Sequence, residues 1–172
     1  MGVIWLITGV MASGKSTVSQ ILAQRLVRAV HLRGDVFRKM IVSGGEEMSS
    51  APSDEAVRQL HLRYRLAADA AKAYCDAGFD VVLQDNYYGA ELKHMLELLA
   101  GYPVRTVVLC PSAEAVQARE LGRGKRGYVG FDVADLHEAF MRETPRIGLW
   151  IDSSDLTAEE TVVQILTYSW KK

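Results

Sequence analysis

Cysteine occurs only twice in the 172 residues, at Cys75 and Cys110, each inside an apolar stretch and without metal-ligand spacing. A disulfide framework and a thiolate metal site are therefore excluded, and both thiols read as small hydrophobes. Net charge is nearly absent too: 20 basic residues face 21 acidic ones, a balance of −1. Nothing global advertises a nucleic-acid or anionic-membrane partner, so neither is expected. No apolar run approaches the roughly 20 residues that span a bilayer. The apolar start, Met1 to Ile7, is too short for a secretory signal and reads as a mature cytoplasmic beginning.

Against these absences stand a 49% hydrophobic content, ample for one core, and a pattern of short strands alternating with amphipathic helices. One domain over residues 1–172 is expected, without internal repeats. Strands are expected at Val3 to Thr8, near Val30 to Leu32, and at Phe79 to Leu83, Val104 to Cys110 and Ile147 to Ile151. A first helix runs from Lys15 to Arg28 on a stripe of Val18, Ile21, Leu22, Leu26 and Ala29. Others follow at Asp35 to Ser43, from Ser53 to Gly78, through Leu92 and Met95, after Pro111, and at Asp132 to Arg142. The last starts at a Thr157/Glu160 capping box and is expected to bury Val162, Ile165, Leu166 and Ser169.

Residues Gly9 to Ser16 read Gly-Val-Met-Ala-Ser-Gly-Lys-Ser, satisfying G-x-x-x-x-G-K-[ST] at every specified position. A strand ends just before this segment and a helix opens at Lys15. Backbone N–H groups of Met11, Ala12, Ser13 and Gly14 then converge on an anion at the positive end of the helix. In such a loop Lys15 reaches the β- and γ-phosphates of ATP and the Ser16 hydroxyl ligates Mg²⁺, with Thr17 alongside.

The remaining sequence narrows the class. Guanine-specific switches need an Asn-Lys-x-Asp segment, and the single asparagine, Asn86, precedes Tyr87. Val42 to Glu46 imitates a transporter ATPase signature, yet it falls too soon after the P-loop and reads as a turn or lid. Phosphoryl transfer to a small-molecule hydroxyl remains, and it calls for a carboxylate near the acceptor.

Asp35 follows the second strand and is the candidate general base; its alternative role is to N-cap the next helix. Arg38, three residues on, shares its face and suits a substrate oxygen or anion. Asp85 ends the third expected strand as a Walker-B-like carboxylate, serving Mg²⁺ or the acceptor, or closing a plain turn. Tyr87 and Tyr88 are placed at the acceptor pocket. Arg119, Arg123, Lys125 and Arg126 form the dense basic cluster, which suits either a lid over residues 119–130 or favourable cations at a helix end.

Taken together, Gly9 to Thr17, Gly34 to Arg38, Asp85, Arg119/Arg123 and Asp152-Ser153-Ser154 resemble the small P-loop phosphotransferases typified by chloramphenicol phosphotransferase. More distant similarity runs to zeta-toxin and to nucleotide, shikimate and gluconate kinases. The resemblance implies a three-layer α/β P-loop fold with a five-stranded parallel sheet of the nucleoside-kinase type. It also implies Asp35 as catalytic aspartate, Arg119 and Arg123 as lid arginines, and Asp152 and Ser153 in the loop beside the adenine. A nucleoside or nucleotide kinase, a regulatory ATPase module and a polynucleotide-end kinase are the alternatives.

Overall fold

The computed structural model describes residues 1–121 and 132–170. Five strands, β1 (Ile4–Gly9), β2 (Ala29–Arg33), β3 (Asp80–Gln84), β4 (Val104–Leu109) and β5 (Leu149–Ile151), form one sheet in the order β2-β3-β1-β4-β5. All pairings are parallel, with Ile4 opposite both Val81 and Val104. The parallel sheet expected from the sequence is therefore present.

Parallel neighbours require crossovers, and helices supply them on both faces. These are α1 (Lys15–Arg25), α2 (Asp35–Lys39), α3 (Asp54–Asp76), α4 (Ala90–Leu98), α5 (Ala113–Leu121), α6 (Val133–Glu143) and α7 (Ala158–Thr167). Because side chains alternate along a strand, β1 feeds two cores. Ile4 and Leu6 join Val81, Leu83 and Val108 under α3 and α4, whereas Trp5 and Ile7 join Val82, Val107 and Leu109 under α1 and α7. In α3 the small residues Ala67, Ala68, Ala71 and Cys75 form the buried stripe, so a long helix lies close against the sheet. Each large side chain buried this way, such as Leu22 or Leu83, contributes about 1.5–3 kcal/mol.

Several boundaries move. Helix α1 stops at Arg25 because Leu26 is already extended, and Ala29 belongs to β2. Helix α2 ends at Lys39 rather than Ser43. In α7, Thr161, Val162 and Ile165 are buried but Leu166 and Ser169 are exposed. Trp170 instead turns back, edge-on to Trp5 at 5.7 Å, and takes the place expected of them. Ser53 caps α3 by accepting from Ala56 N, and the Thr157/Glu160 capping box forms as read.

Candidate active site

A parallel sheet gathers the C-terminal ends of its strands along one edge, and the loops there form a crevice. Here that edge carries Gly9, Gly34 to Asp35, Gln84 to Asp85, and Asp152. A cleft of about 850 Å³ opens over the first three, running from Met11, Lys15 and Ser16 past Asp35 and Arg38 to Arg63 and Asp85.

The P-loop is built to hold an anion. Gly14 occupies the left-handed region at φ 90° and starts α1 with no side-chain cap, so the first-turn N–H groups point out of the helix. No acidic residue sits in that turn. Ala12 is the only non-glycine residue at positive φ (61°) among the described residues, a strained conformation costing about 1–3 kcal/mol. The Ser13 hydroxyl is buried there without a hydrogen-bond partner among the described residues. Lys15 is itself buried, 9% exposed, and its Nζ donates to the carbonyls of Gly9 (2.9 Å) and Val10 (2.7 Å). Ser16 Oγ accepts from Gln84 Nε2 at 3.3 Å, which ties the P-loop to the end of β3.

At the far wall Asp35 is not the N-cap of α2: Gly34 holds that position without a side-chain cap, and among the described residues the Asp35 carboxylate accepts from Arg33 and Lys39 instead. The carboxylate lies between Lys39 Nζ at 2.7 Å and Arg33 Nε at 3.2 Å. Partial burial acts to raise its pKa, but hydrogen bonds and charge from Lys39 and Arg33 outweigh it and hold the carboxyl below the usual range. The capping alternative is thereby removed.

Asp85, 5% exposed, is gripped by a side chain that no local pattern singles out. Arg63 on α3 donates its Nε to Asp85 Oδ2 at 2.6 Å and a terminal nitrogen to Oδ1, while Asn86 N donates to Oδ1 at 2.8 Å. Burial tends to lower the Arg63 pKa, and the Asp85 charge more than reverses it. Arg38 is paired as well, with Glu47.

The tyrosines separate. Tyr87 does not reach the cleft: its ring is fully buried, 5.0 Å from that of Tyr64, and its hydroxyl has no hydrogen-bond partner among the described residues. Its backbone N–H donates to Thr8 Oγ, which fixes the ring inward. Tyr88 packs edge-on against Phe140 at 5.4 Å, also away from the cleft lining.

At the other end of the P-loop, Arg119 of α5 donates to the carbonyls of Ser153 (2.6 Å) and Ser13 (3.4 Å). It therefore joins the loop after β5 to the P-loop. Asp152 Oδ1 accepts from Ser154 N at 3.0 Å and from the Ser154 hydroxyl, bonds that depress the Asp152 pKa and set the loop's shape. Arg123, Lys125, Arg126 and most of the expected 119–130 lid lie outside the described residues.

Residues 4–144 match a protein family described as an AAA domain. The chain belongs to that family. No curated protein matches this AAA-domain chain. Among solved structures, the tunicamycin resistance protein of Deinococcus radiodurans aligns with it at 18% identity and TM-score 0.73, over 96% of this chain and 94% of that one. The APS kinase CysC of Mycobacterium tuberculosis in complex with AMPPNP and APS aligns at 18% identity and TM-score 0.71, over 96% and 95%. A sugar kinase from Janibacter sp. HTCC2649 aligns at 17% identity and TM-score 0.68, over 98% and 94%. The AAA-domain chain thus has the fold of the P-loop kinases.

Proposed function

We propose that this chain binds Mg-ATP at the P-loop and transfers its γ-phosphoryl group to a hydroxyl of a small molecule. The observation that carries the reading is the continuity of the cleft from Lys15 and Ser16 to the Asp35 carboxylate. A donor phosphate at one end and an acceptor hydroxyl at the other share one space, as in-line transfer demands.

Each residue has a stated part. The first-turn N–H groups of α1 and Lys15 hold the β- and γ-phosphates, which requires Lys15 Nζ to exchange its loop carbonyls for phosphate oxygens. The acceptor oxygen bonds to the γ-phosphorus, the bond from that phosphorus to the β–γ bridging oxygen breaks, ADP leaves, and the hydroxyl proton passes to Asp35. A carboxylate held below the usual range is ionised at neutral pH, the state a proton acceptor must start from. Asp85 is less suited, because it is buried against Arg63 with its side chain 4% exposed, whereas the Asp35 side chain keeps 27% of its surface open. Asp85 serves as the anchor of Arg63.

The described residues hold no cluster of three or more His, Cys, Asp or Glu side chains able to bind a metal. The donor set instead fits a magnesium ion carried mainly by nucleotide oxygens, with the Ser16 hydroxyl as protein ligand. Such an ion neutralises charge on the transferred phosphoryl group. In this reading Arg119 and the Asp152–Ser154 loop border the nucleoside, a role supported by the bond from Arg119 to the Ser153 carbonyl beside the P-loop. Arg123 completes the lid in this reading.

The test is ADP release by the purified protein across panels of sugars, nucleosides and hydroxylated antibiotics, with mass spectrometry of the product. Release stimulated by a hydroxyl compound, with phosphate found on that compound, supports the reading. Acceptor-independent turnover that survives Asp35→Asn would make the chain a nucleotide-hydrolysing module instead.

A further inference from the structure

Beyond the P-loop, the cleft wall is electrically self-satisfied. Setting Lys15 aside for the phosphates, three arginines line it among the described residues, Arg33, Arg38 and Arg63. Each already meets a carboxylate of the same wall: Arg33 faces Asp35, Arg38 faces Glu47 and Arg63 faces Asp85. Asp35 takes a further cation, Lys39. A fourth wall carboxylate, Glu46, accepts a hydrogen bond from the Ser53 hydroxyl and is paired with no Lys or Arg among the described residues. Between these polar groups lies apolar surface from Ile41, Met48 and Leu60.

We infer that the acceptor is a non-anionic amphipathic alcohol, uncharged or amine-bearing, with an apolar face and no carboxylate or phosphate. The inference rests on the kinase reading of this cleft and names its substrate class. An incoming carboxylate or phosphate needs an available guanidinium, since its hydration is lost on entry. To reach one here it must share that guanidinium with, or take it from, a carboxylate the wall already supplies, whose like charge opposes it. The Arg63–Asp85 pair resists displacement most, its side chains being 13% and 4% exposed. A neutral hydroxyl faces no such obstacle, because ionised carboxylates accept its hydrogen bonds without leaving their arginines. An ammonium group finds Glu46.

Glu47 is 78% exposed and neutralises Arg38 from the cleft rim, so Glu47→Gln can unmask one guanidinium without disturbing the core. The experiment compares benzyl β-D-glucoside with benzyl β-D-glucuronide, a matched pair differing by one carboxylate. Binding is measured by calorimetry at near-neutral pH and low salt, with the P-loop saturated by Mg-AMPPNP. Expected is a glucoside at least about tenfold tighter than the glucuronide in the wild type, a difference of about 1.4 kcal/mol. In Glu47→Gln that ratio should shift at least fivefold toward the glucuronide.

A glucuronide that binds the wild type as tightly as the glucoside overturns the inference. So does an unchanged ratio in Glu47→Gln, including the case where neither sugar binds either protein. Failure of AMPPNP itself to bind is a separate result: it removes the kinase reading, and the matched pair is then run on the free protein to judge the charge balance of the wall alone.

Discussion

Gly34 and Asp85 are in such close contact that a β-carbon on Gly34 would lie 2.9 Å from Asp85 Cγ and overlap its Oδ2. The backbone of Gly34 is otherwise unremarkable, an αR conformation open to any residue. Its glycine is required by space, because the buried carboxylate and its arginine occupy the place where a side chain would go.

Gly34→Ala should therefore act through Asp85. The carboxylate cannot retreat without loosening Arg63, so overpacking should cost about 1–3 kcal/mol. Acceptor-dependent turnover should fall at least tenfold while ATP affinity holds. Denaturant unfolding and steady-state kinetics check the two halves, and a variant with wild-type stability would show that the contact relaxes freely.

Arg63 and Asp85 should behave as one unit. Removing either partner of a buried pair strands the other, at about 3–5 kcal/mol, whereas removing both leaves no uncompensated charge. Arg63→Met and Asp85→Asn are each expected to destabilise strongly, and the double variant by clearly less than their sum. A double-mutant cycle in urea measures this, and simple additivity would argue against coupling.

Lys15→Ala should do more than silence phosphate binding. With Nζ bonded to two carbonyls of its own loop, the lysine also closes the P-loop. Loss of hydrogen bonds from a charged donor should lower stability by about 1–3 kcal/mol. The protein should remain folded, with nucleotide turnover reduced beyond detection. Circular dichroism melts beside ADP release separate the effects; full activity in a folded variant would exclude the P-loop assignment.

Asp35→Asn separates proton acceptance from charge balance. In the proposed reaction, removing the Asp35 base is expected to lower turnover by about 10²–10⁴-fold. Because the folded-state pKa of Asp35 lies below the unfolded one, the carboxylate contributes stability that is present above the unfolded value and is lost as pH falls through the folded value. Part of the wild-type acid loss of stability below about pH 4, near the ordinary Asp pKa, should vanish in the asparagine variant. Urea titrations between neutral pH and pH 3 test this: superimposable pH profiles for the two proteins would mean that Lys39 and Arg33 do not hold the carboxylate in solution.

Features written in contiguous residues could be read without coordinates. The P-loop is one such run, and so are the Ser53 cap, the Thr157/Glu160 box and the apolar strands whose alternation with helices implies a parallel sheet. Local spacing also put Asp35 and Asp85 at strand ends. What they touch there was decided by tertiary packing. Arg63 lies 22 residues before Asp85 on a helix dense with charge, and nothing in its neighbourhood distinguishes it from Arg58 or Arg65. Only the docking of α3 over the end of β3 selects it, since a carboxylate buried at that point must find a cation within reach. The same holds for Arg119 against Ser153, for Glu47 against Arg38, and for the consecutive tyrosines. Outside a regular element no periodicity tells which of Tyr87 and Tyr88 faces inward, and a hydrogen bond from Tyr87 N to Thr8, 79 residues away, settles it.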